Sequence, residues 1–500
     1  MKTKSLMFQG TASDAGKSWV AAGACRYLAN QGLKVAPFKA QNMALNSFIT
    51  TQGAEMGRAQ VFQAEAAKVS PDVRMNPVLL KPSSDQDSQV IVLGKVIADM
   101  SATKYYEYKV KLKNSILSAY NSLAQENDVM ILEGAGSPAE INLNDHDIVN
   151  MGMAQMAQAP VILVADIDKG GVFASIYGTI KLLPLADQKR IKGIIINKFR
   201  GDKNLLTSGN QMIEKLTGVP VIGVLPMSNI DLDDEDSVAL SKKNHIHDPN
   251  KPLDIAVIIL NRISNFTDFH SLEIQPDVSV RYVYTPQELG QPDLIILPGS
   301  KNTNSDLAAL RKLGLDRLII QAHDNGSMVA GICGGYQILG KELLDPNQIE
   351  SHIQQQPGLG LLDVKTTFNN TKRTTQAKAL IQGCLLHGYE IHMGSTTLGR
   401  DAQPLGKIIE INGQKQNRLD GAINADQSVW GTYLHGIFDN QDWTRQLLNK
   451  LRQHQGLAPL TASQLSIEEY KEIQYEKLAQ LFSDNIDLKK FWEILDASQQ

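Results

Sequence analysis

Cysteine is scarce in this 500-residue chain: Cys25, Cys333 and Cys384 are the only three, and they lie far apart. That distribution leaves no disulfide framework and no clustered zinc site, and it suits a reducing cytoplasm. No stretch approaches the roughly 18 apolar residues in a row that mark a membrane helix. The segment Met1 to Gly10 has neither a long apolar run nor a small-residue cleavage site, so it reads as a first strand and not as a signal peptide. An excess of one charge is missing too. With 49 Lys and Arg against 53 Asp and Glu the formal net charge is −4, which gives no support for a nucleic-acid partner, since that calls for a basic patch. Internal repeats and low-complexity tracts do not occur. The remainder, 42% hydrophobic and 20% charged, is an ordinary globular composition, and 500 residues are too many for one core.

Apolar runs alternate with helical patterns through the first half. Ser5 to Gln9, Val35 to Phe38, Val129 to Leu132, Val161 to Val164 and Gly193 to Ile196 read as strands covered on both faces. This predicts an α/β fold with a parallel sheet and helices on both sides. The acidic run from Asp231 to Asp236 breaks the pattern and reads as solvated surface. A second alternation begins near Asp254, with strands expected at Ile255 to Leu260, Leu294 to Leu297 and Ser327 to Ala330, and a helix at Tyr336 to Leu343. The expected organisation is a nucleotide-dependent domain over residues 1–232, a linker over 233–252, a second α/β domain over 253–445, and a helical extension of that second domain over 446–500.

Gly10-Thr11-Ala12-Ser13-Asp14-Ala15-Gly16-Lys17-Ser18 follows the first strand and opens a helix. In that context a glycine-rich loop ending in Gly-Lys-Ser holds a nucleoside triphosphate, because its amides and the helix N-terminus converge on phosphate oxygens. Lys17 would reach the β/γ-phosphates and the Ser18 hydroxyl a magnesium position. Five residues separate Gly10 from Gly16, one more than the usual loop. Thr11, Gly16, Lys17, Ser18 and Asn197 are the candidate ATP-binding residues. Ser18, Asp14 and the strand-end Glu133 are the candidate Mg2+ ligands, and Asp166 and Asp168 form a further acidic point.

Gly331-Ile332-Cys333-Gly334-Gly335 places a cysteine between a predicted strand and a predicted helix. Such an elbow exposes the side chain at a helix N-terminus, where a thiolate is favoured. The Gly334 amide, with Gly299 in the loop after another strand, is a candidate oxyanion donor. A thiolate needs a base. His435 in Tyr433-Leu434-His435-Gly436 is the best placed of three candidates, with His387 and His392 as competitors.

Gly331 to Gln337 together with Tyr433 to Gly436 resembles the class I (triad) glutamine amidotransferase domains of the CobB/CobQ family, and the first half resembles the synthetase domain fused to them. The longer loop with its Gly-Thr start is similar to that of the dethiobiotin-synthetase group. Pro37-Phe38-Lys39-Ala40-Gln41-Asn42-Met43-Ala44-Leu45-Asn46-Ser47 resembles the signature of the branch that amidates adenosylcobyrinic acid a,c-diamide. The resemblance implies an ATP-, Mg2+- and glutamine-dependent ligase acting on a corrinoid at the b, d, e and g carboxylates in cobalamin biosynthesis. Cys333 would be the nucleophile and His435 its acid–base partner. Lys39, Gln41 and Asn42 are candidate holders of substrate carboxylates. Many class I glutaminases carry Glu two residues after the His. Here that position is Ile437, so the group that orients His435 is left open, as is the oligomeric state. Two other readings compete. A cobyrinic acid a,c-diamide synthase shares both domains, but the Lys39 to Met43 stretch argues against it. A P-loop ATPase switch with an inert second domain carries an early loop lysine, which Thr11-Ala12-Ser13 lacks.

Overall fold

The computed structural model describes residues 3–84, 86–233, 240, 243–461 and 465–499. Six parallel strands build the first sheet, in the spatial order Val221–Pro226, Ile191–Phe199, Val161–Asp166, Lys4–Gly10, Val129–Glu133, Val35–Phe38. Their continuous apolar runs are explained by burial on both faces. Lys4–Gly10 lies between Val129–Glu133 and Val161–Asp166, so the chain reverses its direction of winding there, and ligands of such sheets bind beyond the strand ends at that point. A side sheet of Gln41–Met43, Val78–Pro82, Asp87–Val92 and Lys95–Ser101 projects from this half.

The second sheet runs Val278–Val283, Leu253–Ile258, Leu294–Leu297, Met328–Ile332, Val429–Thr432, Ala422–Ile423, parallel except for the last pair. Met328–Ile332 has Leu294–Leu297 on one side and Val429–Thr432 on the other. The three loops that follow these strands therefore meet at one end of the sheet. A long antiparallel hairpin, Val364–Ile381 with Cys384–Leu398, crosses that end and pairs with Leu434–His435. Neither the hairpin nor the side sheet is foreshadowed by the apolar pattern, because Val364–Ile381 is rich in polar, mostly half-buried residues and the last strand of the side sheet, Lys95–Ser101, has no buried face.

Three expectations are corrected. The helix after Cys333 spans Gly334–Leu339 and stops at Gly340, and Glu342–Leu344 is a strand. The final helices, Ile467–Asn485 and Leu488–Asp496, do not extend the second domain. Tyr475, Leu478, Phe482, Phe491 and Leu495 join the core on the first sheet, and Phe482 and Leu478 lie within 3.4 Å of where a Cβ on Gly23 would stand. The acidic run is not simply solvated. Asp233 is 8% exposed and bonded to Arg58, His270 and Lys471, because the chain passes between the two halves there. Asp234, Glu235 and Asp236 lie outside the described residues.

Candidate active sites

The glycine-rich loop wraps over the end of the first sheet. A Cβ on Gly10 would meet Ala12 O at 2.8 Å and Lys17 Nζ at 2.9 Å, so only glycine lets the loop close on its own lysine. Gly16, at φ 89°, caps the helix Lys17–Asn30 in the left-handed region. Lys17 Nζ donates to Ala12 O at 3.0 Å and across the site to Gly136 O at 3.1 Å. Asn197 is buried and ties the loop down through Nδ2 to Ala15 O at 3.0 Å. Gly16, Lys17, Gly136 and Asn197 line a cavity of about 850 Å³ that also takes in Lys39, Gln41, Asn42 and Glu133. Thr11 stands outside the lining, with its amide committed to Val164 O at 3.0 Å.

Glu133 is 1% exposed and is the hub of this site. It accepts from Ser18 Oγ at 2.7 Å, Lys39 Nζ at 2.8 Å and Gln63 Nε2 at 2.5 Å. Ser18 and Glu133 are thus brought together as the sequence suggested, while Asp14 sits exposed on the cavity wall. The adjoining hydroxyl and carboxylate fit Mg2+, which takes one or two protein oxygens and completes its shell with phosphate and water. Among the described residues no cluster of three acidic, His or Cys side chains offers an all-protein metal cage. Asp166 and Asp168 are held by Lys198 at 2.8 Å and Arg200 at 3.0 Å and lie outside the lining. Lys39 points inward to Glu133, Gln41 accepts from the Tyr105 hydroxyl at 2.5 Å, and buried Asn42 reaches Gln60 at 3.4 Å.

At the second site Cys333 occupies a sharp turn at φ 53°, ψ −108°. The glycines around it are required by space: a Cβ on Gly335 would strike Leu297 O at 1.9 Å, one on Gly334 the Ser300 amide at 2.8 Å, and one on Gly331 the Tyr336 amide at 2.6 Å. The expected exposure is not found. Cys333 is 5% exposed, with Sγ 3.4 Å from Ile391 O on the hairpin that covers the strand ends. Gly334 opens the helix, where amides have no intrahelical acceptor, and Gly299 lies against the His435 ring.

His435 is fully buried, and Nδ1 donates to Asp268 Oδ2 at 2.7 Å. The other carboxylate oxygen accepts from the Gly436 amide at 3.1 Å, which fixes Asp268 against the loop that carries the histidine. Nε2 forms no hydrogen bond of its own, and Cys333 is close enough to stabilise the imidazolium. Burial opposes that charge, but Asp268 and Cys333 outweigh it and push the His435 pKa up to about 10. Tyr389 stacks on the imidazole, with centroids 5.2 Å apart and planes 15° off parallel. His392 stacks on Tyr433 with Nδ1 2.8 Å from Gly394 O, and burial holds its pKa below the usual value. His387 is exposed. The array is therefore Cys333, His435 and Asp268. Asp268 was missed by sequence reasoning, which looked for a carboxylate after the histidine. Its only trace is the polar Asn265 and Asp268 in the Asn265-Phe266-Thr267-Asp268-Phe269 turn.

The two sites touch. Asn46 and Ser47, downstream of Lys39 to Met43, bond to Phe266 N at 3.3 Å and to the Asn265 side chain through the Ser47 amide at 3.1 Å. The Tyr389 hydroxyl reaches Ser47 O at 3.3 Å. One segment of the first half thus packs on the residues that hold Asp268 and His435.

Comparison with known proteins accounts for both halves. Residues 6–236 match the CobQ/CobB/MinD/ParA nucleotide binding domain, and residues 254–443 match the CobB/CobQ-like glutamine amidotransferase domain. A protein of Limosilactobacillus reuteri named cobyric acid synthase is 69% identical over 100% of this chain and 99% of its own length. Proteins of the same name from Streptococcus sanguinis and Listeria innocua are 58% identical, over 99% of this chain and 100% of theirs, and 56% identical, over 98% and 96%.

Proposed function

The chain belongs to the cobyric acid synthase family, as a glutamine-dependent amide-forming ligase, and on that premise we propose that it converts the b, d, e and g carboxylates of adenosylcobyrinic acid a,c-diamide to amides. The observation that supports the reading most directly is the pairing, on one chain, of a Cys333–His435–Asp268 array with a nucleotide loop that opens on an 850 Å³ cavity. A cytoplasmic setting is part of the proposal. It rests on three free cysteines and on the absence, among the described residues, of a helix long and apolar enough to cross a membrane.

In the second domain the Cys333 thiolate attacks the carboxamide carbon of glutamine, and amides at the elbow receive the oxyanion. His435, held by Asp268, gives its Nε2 proton to the departing nitrogen, so ammonia leaves and a thioester forms. His435 then takes a proton from water, which hydrolyses the thioester to glutamate and frees Cys333. In the first domain a corrinoid carboxylate attacks the γ-phosphate of ATP, giving an acyl phosphate and ADP. Ammonia then displaces phosphate and leaves the amide. Lys17 and the loop amides stabilise the transferring phosphoryl group. Mg2+, held at Ser18 and Glu133 with Asp14 as a further candidate, would supply charge neutralisation on the phosphates. Lys39, Gln41 and Asn42, which line the cavity, are proposed to meet the corrinoid carboxylates, Lys39 while also holding Glu133 at 2.8 Å.

The test is product mass after incubation with adenosylcobyrinic acid a,c-diamide, ATP, Mg2+ and glutamine. Wild type should gain amides stepwise, up to four. Cys333→Ala should gain none with glutamine and the full set with free ammonia. A folded wild type that amidates no corrinoid carboxylate would refute the substrate assignment.

A further inference from the structure

In front of Cys333 lies a second, small cavity of about 40 Å³, and its wall comes from both halves of the molecule. The amidotransferase half supplies Lys301, Gln337, Glu350 and Lys372, and the synthetase half supplies Lys81. Lys81 donates to Glu55 Oε1 at 3.0 Å and to Ser47 Oγ at 2.9 Å. Lys372, from the long hairpin, reaches across to the other oxygen of the same carboxylate at 2.5 Å and to Gln89 Oε1 at 3.0 Å. One buried carboxylate is thus shared by two ammonium groups, one from each domain, and Lys301 adds a third cation within electrostatic range of Lys372. Burial and the neighbouring lysines push the Lys372 pKa down to about 8 despite Glu55. Uncompensated charge of this kind is costly inside a protein unless an anion arrives to match it. Glu350 presents the opposite demand. Burial pushes its pKa up to about 7, against the pull of Lys301 and of the Thr303 amide at 2.9 Å.

Glutamine brings that pair of charges, a carboxylate and an ammonium on one carbon, with its amide at the far end of the side chain. Resting on the glutaminase reading above, we propose that Lys81, Lys301 and Lys372 take the α-carboxylate of glutamine and Glu350 its α-ammonium, so that the synthetase domain completes the glutamine site through Lys81. The cavity as it stands has room for only a few waters. A whole glutamine therefore has to displace part of the lining. The Glu55–lysine contact is the part that can move without opening a core, since both lysines have long flexible stems and the incoming carboxylate replaces Glu55 beside one of them.

The experiment measures ammonia release by the full-length protein, with glutamine and with 4-aminobutanamide, which keeps the amine and the reacting amide but has no α-carboxylate. Lys81→Met should raise the glutamine KM by about 10- to 100-fold, the worth of one charge-assisted hydrogen bond, with kcat nearly unchanged. It should also narrow the preference for glutamine over 4-aminobutanamide by the same factor, and Lys81→Arg should restore much of both. Lys301→Met, which lies outside the Glu55 ion pairs, should act in the same direction and covers the case of a poorly folded Lys81 variant. An unchanged KM, or an unchanged preference between the two amides, in both Met variants would overturn the proposal. A wild type that releases no ammonia from glutamine would instead remove the glutaminase reading on which it rests.

Discussion

Asp268 shows at the scale of one side chain how much of the site the sequence carries. Cys333, Gly334 and His435 are legible because an elbow cysteine and a strand-end histidine have local signatures. Asp268 is not, because it meets His435 across 167 positions and nothing near either residue marks the other. The hydrogen bond to Nδ1 fixes the tautomer and the aim of Nε2, so Asp268 is a positioning residue. Asp268→Asn should lower kcat for glutamine hydrolysis by about 10³- to 10⁴-fold, by analogy with loss of the orienting carboxylate in a hydrolytic triad, and leave ammonia-supported amidation intact. A pH profile separates this from a packing defect. The wild-type imidazolium is held to about pH 10. Without the carboxylate His435 should titrate nearer its ordinary value, about 6.5, so the residual hydrolysis should decline as pH rises through neutrality. A residual rate with the wild-type pH profile would mean that Asp268 does not govern the charge on His435.

At the scale of elements, type was easier to read than address. The helix Ile467–Asn485 announces itself with a capping box, Ser466 and Glu469 each bonding the other's backbone. Its partner could not be read, since an apolar stripe says that something is covered and not what. In the fold it lies along the nucleotide-loop helix, where Tyr475, Leu478 and Phe482 are each 1% exposed and Arg26, fully buried, is held by Glu472 and Glu476. The C-terminal helices are therefore part of the support of the glycine-rich loop. Phe482→Ala removes a large aromatic side chain that meets Phe491 and Tyr27 edge-on or at a tilt. It should cost about 3–5 kcal/mol of unfolding free energy, read from the urea midpoint at constant m-value. A loss below about 1 kcal/mol would show that the helix is only loosely docked.

For the whole molecule the informative group is His270, where three parts of the chain converge. Nε2 faces Asp231 at 3.0 Å and Nδ1 faces Asp233 at 3.2 Å, both from the segment between the domains. Asp233 also holds Arg58 of the first domain at 2.8 Å and Lys471 of the C-terminal helix at 2.7 Å. In the sequence the same aspartates read as solvated surface, because a run of acids carries no sign of the cations it will meet. Burial disfavours a charged His270, but the two carboxylates outweigh it and raise its pKa to about 9. The folded value lies above the unfolded one of about 6.5. The charged histidine therefore contributes stability that is fully present below about pH 6.5 and is lost as pH rises through about 9. A shift of that size corresponds to about 3 kcal/mol at most. Stability measured from pH 6 to 9.5 should fall across this window in wild type, and His270→Gln should be less stable at pH 6 and flatter above it. Equal slopes in the two proteins would mean that His270 does not carry the charge. His270 stands two residues after Asp268, so the same loosening should reach the glutaminase site. As pH rises toward 9 the coupling of glutamine hydrolysis to amide formation should weaken, read as glutamate released per amide made. In His270→Gln that ratio should already be high at pH 6.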